Sequence, residues 1–165
     1  MDTPSFADIA AAAERIAGLI RRTPLLASAA LDARCGARVL VKAEPLQITG
    51  SFKLRGATNA LRALAPAERS RGVIAFSSGN HGQAVAAAAA AAGVAATVVM
   101  PADAPRIKTE GTRAWGATIL PYDRAGEDRE AITRAAAAQS GAAIIPPFDH
   151  PAVIAGQGTL GLEIA

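Results

Sequence analysis

An α/β fold, a parallel sheet flanked by helices, is predicted by three observations. Between Gly72 and Ile145, short apolar runs alternate with longer helical patterns. The strand runs are apolar at consecutive positions, which requires cover on both faces and suits parallel neighbours joined by right-handed crossovers. Gly93, Gly116 and Gly141 each stand just past a helical pattern, where a left-handed residue closes a helix.

Taken in order, Ser5 with Asp8 forms a capping box for a first helix, whose apolar face is Ile9, Ala12, Ile16, Leu19 and Ile20 and which stops before Thr23-Pro24. Residues 37–43 (ARVLVKA) read as a strand ended by Glu44-Pro45. Ser51 then serves as N-cap for a helix from Phe52 to about Leu64. Strands follow at 72–76, 94–100, 117–122 and 142–145, separated by helices at 83–92, 105–115 and 126–139. Residues 153–165 read as helical after Gly156-Gln157-Gly158-Thr159 and run to the last residue without a cap, so the chain is expected to stop inside a helix.

Composition narrows the function classes. With 165 residues, 51% hydrophobic and 19% charged, the chain belongs with globular proteins. A net charge of +3, scattered arginines and 4% aromatics argue against a nucleic-acid partner. Ala84 to Met100 carries no charge, but it is alanine-rich and broken by Gly93, so a buried helix and strand fit better than a membrane span. Asp2, Asp8, Glu14 and Arg15 interrupt any leader. The single cysteine, Cys35, reads as a small apolar residue, and a reducing, cytoplasmic location is expected. No cluster has metal-ligand spacing, so no metal site is assigned.

The chemistry converges on Lys53. The chain has three lysines, Lys42, Lys53 and Lys108, against fourteen arginines. Only an amine can lose its proton and attack a carbonyl. Near a helix N-terminus, the dipole and partial burial both lower its pKa. Without further context, the plainer reading is a surface lysine. The loop Ser77-Ser78-Gly79-Asn80-His81-Gly82 lies at a strand's carboxyl end and opens a helix, which makes a cradle for a carboxylate or phosphate. Its plainer reading is a polar turn capped by Ser78 or Asn80, with His81 satisfied locally. The glycines of Gly156-Gln157-Gly158 are read as allowing close helix packing, because no lysine follows to make a nucleotide loop. Glu44, Asp123, Glu127 and Asp128 are read as turn or helix-start charges.

Three long motifs, Lys42 to Ala57 (KAEPLQITGSFKLRGA), Ser77 to Ala84 (SSGNHGQA) and Val153 to Ile164 (VIAGQGTLGLEI), occur in register. Together they resemble the fold type II pyridoxal-phosphate enzymes, which are tryptophan synthase beta-like, and specifically the threonine/serine dehydratase and serine racemase group. The likeness extends to Arg22-Thr23-Pro24-Leu25 and to Met100 through Lys108. It implies that Lys53 holds pyridoxal 5'-phosphate as a Schiff base with Phe52 beside the ring, and that Asn80 bonds the ring 3′-oxygen. It further implies that Ser77, Ser78, Asn80, His81 and the loop N–H groups grip the substrate carboxylate, and that Ser78 holds the position of the racemases' second acid/base.

By the same resemblance, the expected reaction is conversion of a hydroxy-amino acid, threonine or serine, to a 2-oxo acid and ammonia. Serine racemization and 3-hydroxyaspartate dehydration are the alternatives. Residues 1–72 are expected in a large domain, 73–152 in a small one, and 153–165 at the start of the return to the large domain. The cofactor-phosphate loop, the pyridine-nitrogen partner and any divalent-metal ligands of the family correspond to positions beyond residue 165. The chain is therefore expected to be an apparently truncated, N-terminal portion of a homodimeric enzyme, with apolar surface exposed, weak cofactor binding and little or no turnover of its own. An inactive binding or regulatory fragment and a nucleotide-binding domain are the competing classes, the latter disfavoured by the missing GxGxxG.

Overall fold

The computed structural model describes residues 3–165; Met1 and Asp2, the latter counted above against a leader, lie outside them. Helix α1 (Phe6–Ile16) begins with the expected capping box, Ser5 Oγ accepting from Asp8 N while the Asp8 carboxylate accepts from Ser5 N at 2.8 Å. It ends short of Leu19 and Ile20, because Gly18 turns the chain at φ 75°. Strands β1 (Leu25–Ala27) and β2 (Leu40–Lys42) form an antiparallel ribbon around the short helix α2 (Ala29–Cys35). Neither β1 nor α2 is anticipated by the pattern, and β2 is shorter than expected. Leu25, Leu26, Leu40 and Val41 on this ribbon are exposed, the uncovered apolar surface expected above.

A 3-10 turn (Glu44–Leu46) leads to α3 (Lys53–Ala63), the central helix, in which every residue from Leu54 to Leu61 is buried. Ser51 does not cap it: Phe52 holds the cap position in helical geometry, no side chain bonds the first turn, and the buried Ser51 hydroxyl has no partner. After the one-turn α4 (Pro66–Arg69) come β3 (Val73–Phe76), α5 (Asn80–Ala92), β4 (Ala96–Pro101), α6 (Arg106–Ala114), β5 (Thr118–Tyr122), α7 (Arg129–Ser140), β6 (Ala143–Ile144) and α8 (Pro151–Leu162). Gly93, Gly116 and Gly141 have the predicted positive φ. Val94 belongs to the helix closure rather than to β4, since its N–H bonds Ala89 O. Asp128 caps α7 by accepting from Glu130 N. Helix α8 starts earlier than expected and closes at Leu162, after which the N–H groups of Glu163 and Ile164 turn back to Leu160 O and Gly161 O.

The sheet is parallel, in the order β5-β4-β3-β6. Side chains alternate between its faces. Val73, Ala75, Val98 and Met100 pack with the alanines of α5 in one core cluster, whereas Ile74, Phe76 and Val99 meet α7 in a second. This two-sided cover explains the unbroken apolar runs. Beyond α5 lies α3, and α8 crosses α3 where Gly56 faces Gly156. A Cβ on Gly156 would stand 2.7 Å from Arg55 O and 2.8 Å from Gly56 Cα. The glycines therefore serve helix packing, as predicted. Cys35 closes α2 and is exposed.

Candidate active site

From β3 the chain moves outward through β4 to β5, then returns to place β6 on the other side of β3. The strand order reverses between β3 and β6, and in open α/β sheets such a reversal opens a crevice at the carboxyl ends. The segments leaving those ends are residues 77–82 after β3 and 145–148 after β6. Lys53, first residue of α3, reaches this place: its Nζ donates to Pro147 O at 2.8 Å. Phe52 lies beside it, ring centroid 5.3 Å from Nζ. Burial pushes the Lys53 pKa down, and the acceptor that holds the amine is a neutral carbonyl.

Helix α5 begins at Asn80, three residues earlier than the pattern suggests, with Gly79 at the cap and no side-chain cap, so neither Ser78 nor Asn80 plays that part. The N–H groups of Asn80, His81 and Gly82 therefore have no intrahelical acceptor. Ser77 Oγ accepts from Gly79 N at 3.1 Å and braces the loop, and Ser78 is exposed. His81 is 3% exposed. Its ring turns away from the loop, Nε2 donating to Ile145 O at 2.9 Å, and its Nδ1 is buried without a partner. Burial, followed by the nearby Lys53 charge, pulls the imidazole pKa down to about 4, although the Ile145 carbonyl opposes this. What His81 offers a ligand is its backbone N–H. Asn80 Oδ1 accepts from Lys108 Nζ at 2.6 Å.

Beneath Lys53 lies a buried ionic cluster. Arg55 is wholly buried and donates to Glu44 through Nε (3.0 Å) and Nη2 (2.8 Å), and to Glu163 through Nη1 (2.6 Å). Lys42 pairs with Glu163, and Thr23 Oγ1 donates to Glu44 at 2.6 Å. The local sequence suggested a turn charge at Glu44; the structure corrects this to a buried partner of Arg55. Burial raises the pKa of each glutamate and its cationic partners outweigh that, leaving both lowered. The cluster locks the start of α3 to the end of α8 and to the ribbon.

Sequence reasoning missed this cluster and the part played by Lys108. The available signals for Lys108 were the rarity of lysine and the family likeness that reaches from Met100 to it. Thr49 Oγ1, Ser51 Oγ and His81 Nδ1 are buried and unpartnered, the first two just ahead of Lys53 in the chain. Among the described residues, no three histidine, cysteine, aspartate or glutamate side chains gather as a metal site, and no helix is long and apolar enough to cross a membrane.

The family model described as "Pyridoxal-phosphate dependent enzyme" matches residues 16–165. An L-threo-3-hydroxyaspartate ammonia-lyase of Pseudomonas is 52% identical over 99% of this chain and 51% of its own length. The structure of maize serine racemase superposes with a TM-score of 0.96 at 38% identity, covering 99% of this chain and 50% of that one. The serine racemase of Dictyostelium discoideum gives a TM-score of 0.93 at 42% identity, covering 99% of this chain and 53% of that one. The chain spans about half the length of the curated relatives it matches.

Proposed function

The chain belongs to the family of pyridoxal-phosphate dependent enzymes, and on that premise we propose that it supplies the lysine-bearing part of an ammonia-lyase converting a small hydroxy-amino acid to a 2-oxo acid and ammonia. The observation that carries this reading is Lys53: a half-buried amine at a helix start, its pKa lowered, held by a neutral carbonyl at the sheet's reversal point. The residues fit the cofactor. A carbonyl-reactive amine, an uncapped helix N-terminus and unpartnered polar atoms of Thr49, Ser51 and His81 all belong to the segments that meet here.

When bound, pyridoxal phosphate supplies an electron-withdrawing ring that acidifies the substrate Cα–H. This chain's residues do the rest. Lys53 Nζ, neutral at lower pH than an exposed lysine, would hold the cofactor until the substrate amine takes its place and would then take the Cα proton, which departs with the β-hydroxyl as water. The free N–H groups at the start of α5 receive the substrate carboxylate, with Ser77 bracing the loop. Asn80 donates to a ligand oxygen, and Phe52 packs beside the ring. His81, kept neutral by burial, adds no competing cation next to Lys53.

Likeness to the Pseudomonas and Saccharomyces cerevisiae L-threo-3-hydroxyaspartate ammonia-lyases, at 52% and 50% identity, supports 3-hydroxyaspartate as a substrate alongside threonine and serine. Racemization is the second reading, favoured by the exposed Ser78 beside the cradle. In the same reading, 1–72 and 153–165 belong to a large domain and 73–152 to a small one, and the working enzyme is a cytoplasmic homodimer.

Borohydride reduction of the protein with added pyridoxal phosphate, followed by peptide mapping, tests the assignment. Label is expected on the Lys53 peptide, and label elsewhere overturns it. Incubation of a form extended to the relatives' length with L-threo-3-hydroxyaspartate, L-threonine and L-serine, scoring oxo acid against D-isomer, then separates lyase from racemase.

A further inference from the structure

Lys108 stands in the first turn of α6 and reaches across to α5, where its ammonium donates to Asn80 Oδ1 at 2.6 Å. Its stem lies along the loop: a Cβ on Gly79 would sit 3.9 Å from both Lys108 Cδ and Cε. The other two lysines meet a carboxylate and a backbone carbonyl, Glu163 for Lys42 and Pro147 for Lys53. Two residues before Lys108, Arg106 pairs with Glu110. Lys108 has no carboxylate within 4 Å among the described residues, and its charge is directed instead onto a neutral amide.

The pairing has one chemical consequence. An ammonium only donates, and of the two ends of an asparagine amide only the oxygen accepts. The two ends are nearly identical in shape, so nothing but hydrogen bonding decides which way such an amide faces. With Oδ1 held by Lys108, Nδ2 and its two N–H groups must face the other way. The adjacent positive charge also polarises the amide and strengthens those donors.

We propose that Lys108 is a positioning residue that fixes the Asn80 amide, so that Asn80 meets an anionic oxygen of the ligand as a donor and never as an acceptor. This rests on the reading that the loop receives pyridoxal phosphate and its substrate. Replacing Lys108 by Met frees the amide to flip. Replacing it by Arg, which likewise only donates, keeps the orientation.

Two measurements test it. Without cofactor, the Asn80 side-chain amide pair in a nitrogen–proton correlation spectrum, identified by its loss in Asn80→Ser, is expected to move toward the position of a free exposed amide in Lys108→Met and to stay in place in Lys108→Arg. With pyridoxal phosphate titrated by absorbance, Lys108→Met is expected to bind about tenfold or more weakly, the size of one hydrogen bond to a charged group. Lys108→Arg is expected within about threefold of the parent, a rescue that a merely structural role would not give. Lys108→Gln, which can also accept, falls between them and serves should the Met variant fold poorly. An unmoved Asn80 amide pair in Lys108→Met, or equal affinity in the Met variant and the parent, overturns the proposal. Failure of the parent to be labelled at Lys53 would instead overturn the functional reading, while the amide spectrum still decides the orientation.

Discussion

Adding one methyl group at Gly156 is expected to destabilise the protein measurably. The new Cβ would stand 2.7 Å from Arg55 O, 2.7 Å from Asn59 Cβ and 2.8 Å from Gly56 Cα, and two of these atoms belong to the α3 backbone. Since relaxed contacts between such atoms begin near about 3.5 Å, α8 must retreat from α3 by several tenths of an ångström along their crossing. Overpacking of this kind costs about 1–3 kcal/mol, opposed by a helix-propensity gain of about 1 kcal/mol for Gly→Ala. The difference leaves Gly156→Ala less stable by up to about 2 kcal/mol, or up to about 8 °C in Tm for a chain of this size. Gly161, on the same helix with nothing within 4 Å, is the control, and Gly161→Ala should gain up to about 1 kcal/mol. The Cβ of Gly158→Ala meets the Ile9 side chain first, at 2.9 Å, which can swing aside, and this variant should fall between. Thermal melts of the three variants read the order directly. A Tm for Gly156→Ala equal to or above that of Gly161→Ala would refute the claim that these glycines set the helix approach.

Further outcomes follow from the site's electrostatics. His81 has a folded pKa of about 4 against an ordinary value of 6.5. Its contribution is therefore fully present above pH 6.5 and is lost as pH falls from there toward 4, about 3 kcal/mol in all. Denaturant melts between pH 7 and pH 4 should show that slope, reduced in His81→Gln, and an unchanged slope in the variant would assign it to other groups. Arg55→Met leaves the buried Glu44 and the half-buried Glu163 each with one partner fewer, and should cost about 3–5 kcal/mol. The double variant Arg55→Met/Glu44→Gln should recover part of that loss in urea melts, and strict additivity would argue against a coupled cluster. Lys53→Ala should abolish borohydride-trapped label while leaving the far-ultraviolet circular dichroism intact.

Much of this was legible because the elements between Gly72 and Ile145 are long or punctuated by glycine: β3, β4, β5, α6 and α7 lie close to where apolar periodicity and C′ glycines put them. The loop proposed to receive the ligand, residues 77–82, could be picked out because it follows a strand end. β1, α2 and α4 were not legible, since elements of three to seven residues, largely exposed, carry no readable period. Ser51 has the composition of an N-cap, yet tertiary packing buries its hydroxyl and starts α3 one residue later. The Glu44–Arg55–Glu163 cluster joins positions too far apart for local spacing to reveal, and a buried glutamate is written with the same letter as an exposed one. His81 was placed correctly in the loop. Its turn toward Ile145 depends on β6, which no window around residue 81 contains.

That last dependence has a kinetic meaning. The two carbonyls that define the surroundings of Lys53 and His81, Pro147 O and Ile145 O, arrive on the segment after β6, a two-residue strand at the sheet edge. Both contacts close loops of many tens of residues, so their chain entropy must be overcome before they give anything back. Until that segment docks, Lys53 lacks its Pro147 acceptor and His81 lacks its Ile145 acceptor. The surroundings proposed to activate Lys53 are therefore complete only once the segment after β6 is in place, and the rate at which the amine becomes open to borohydride trapping is expected to report the docking of that strand.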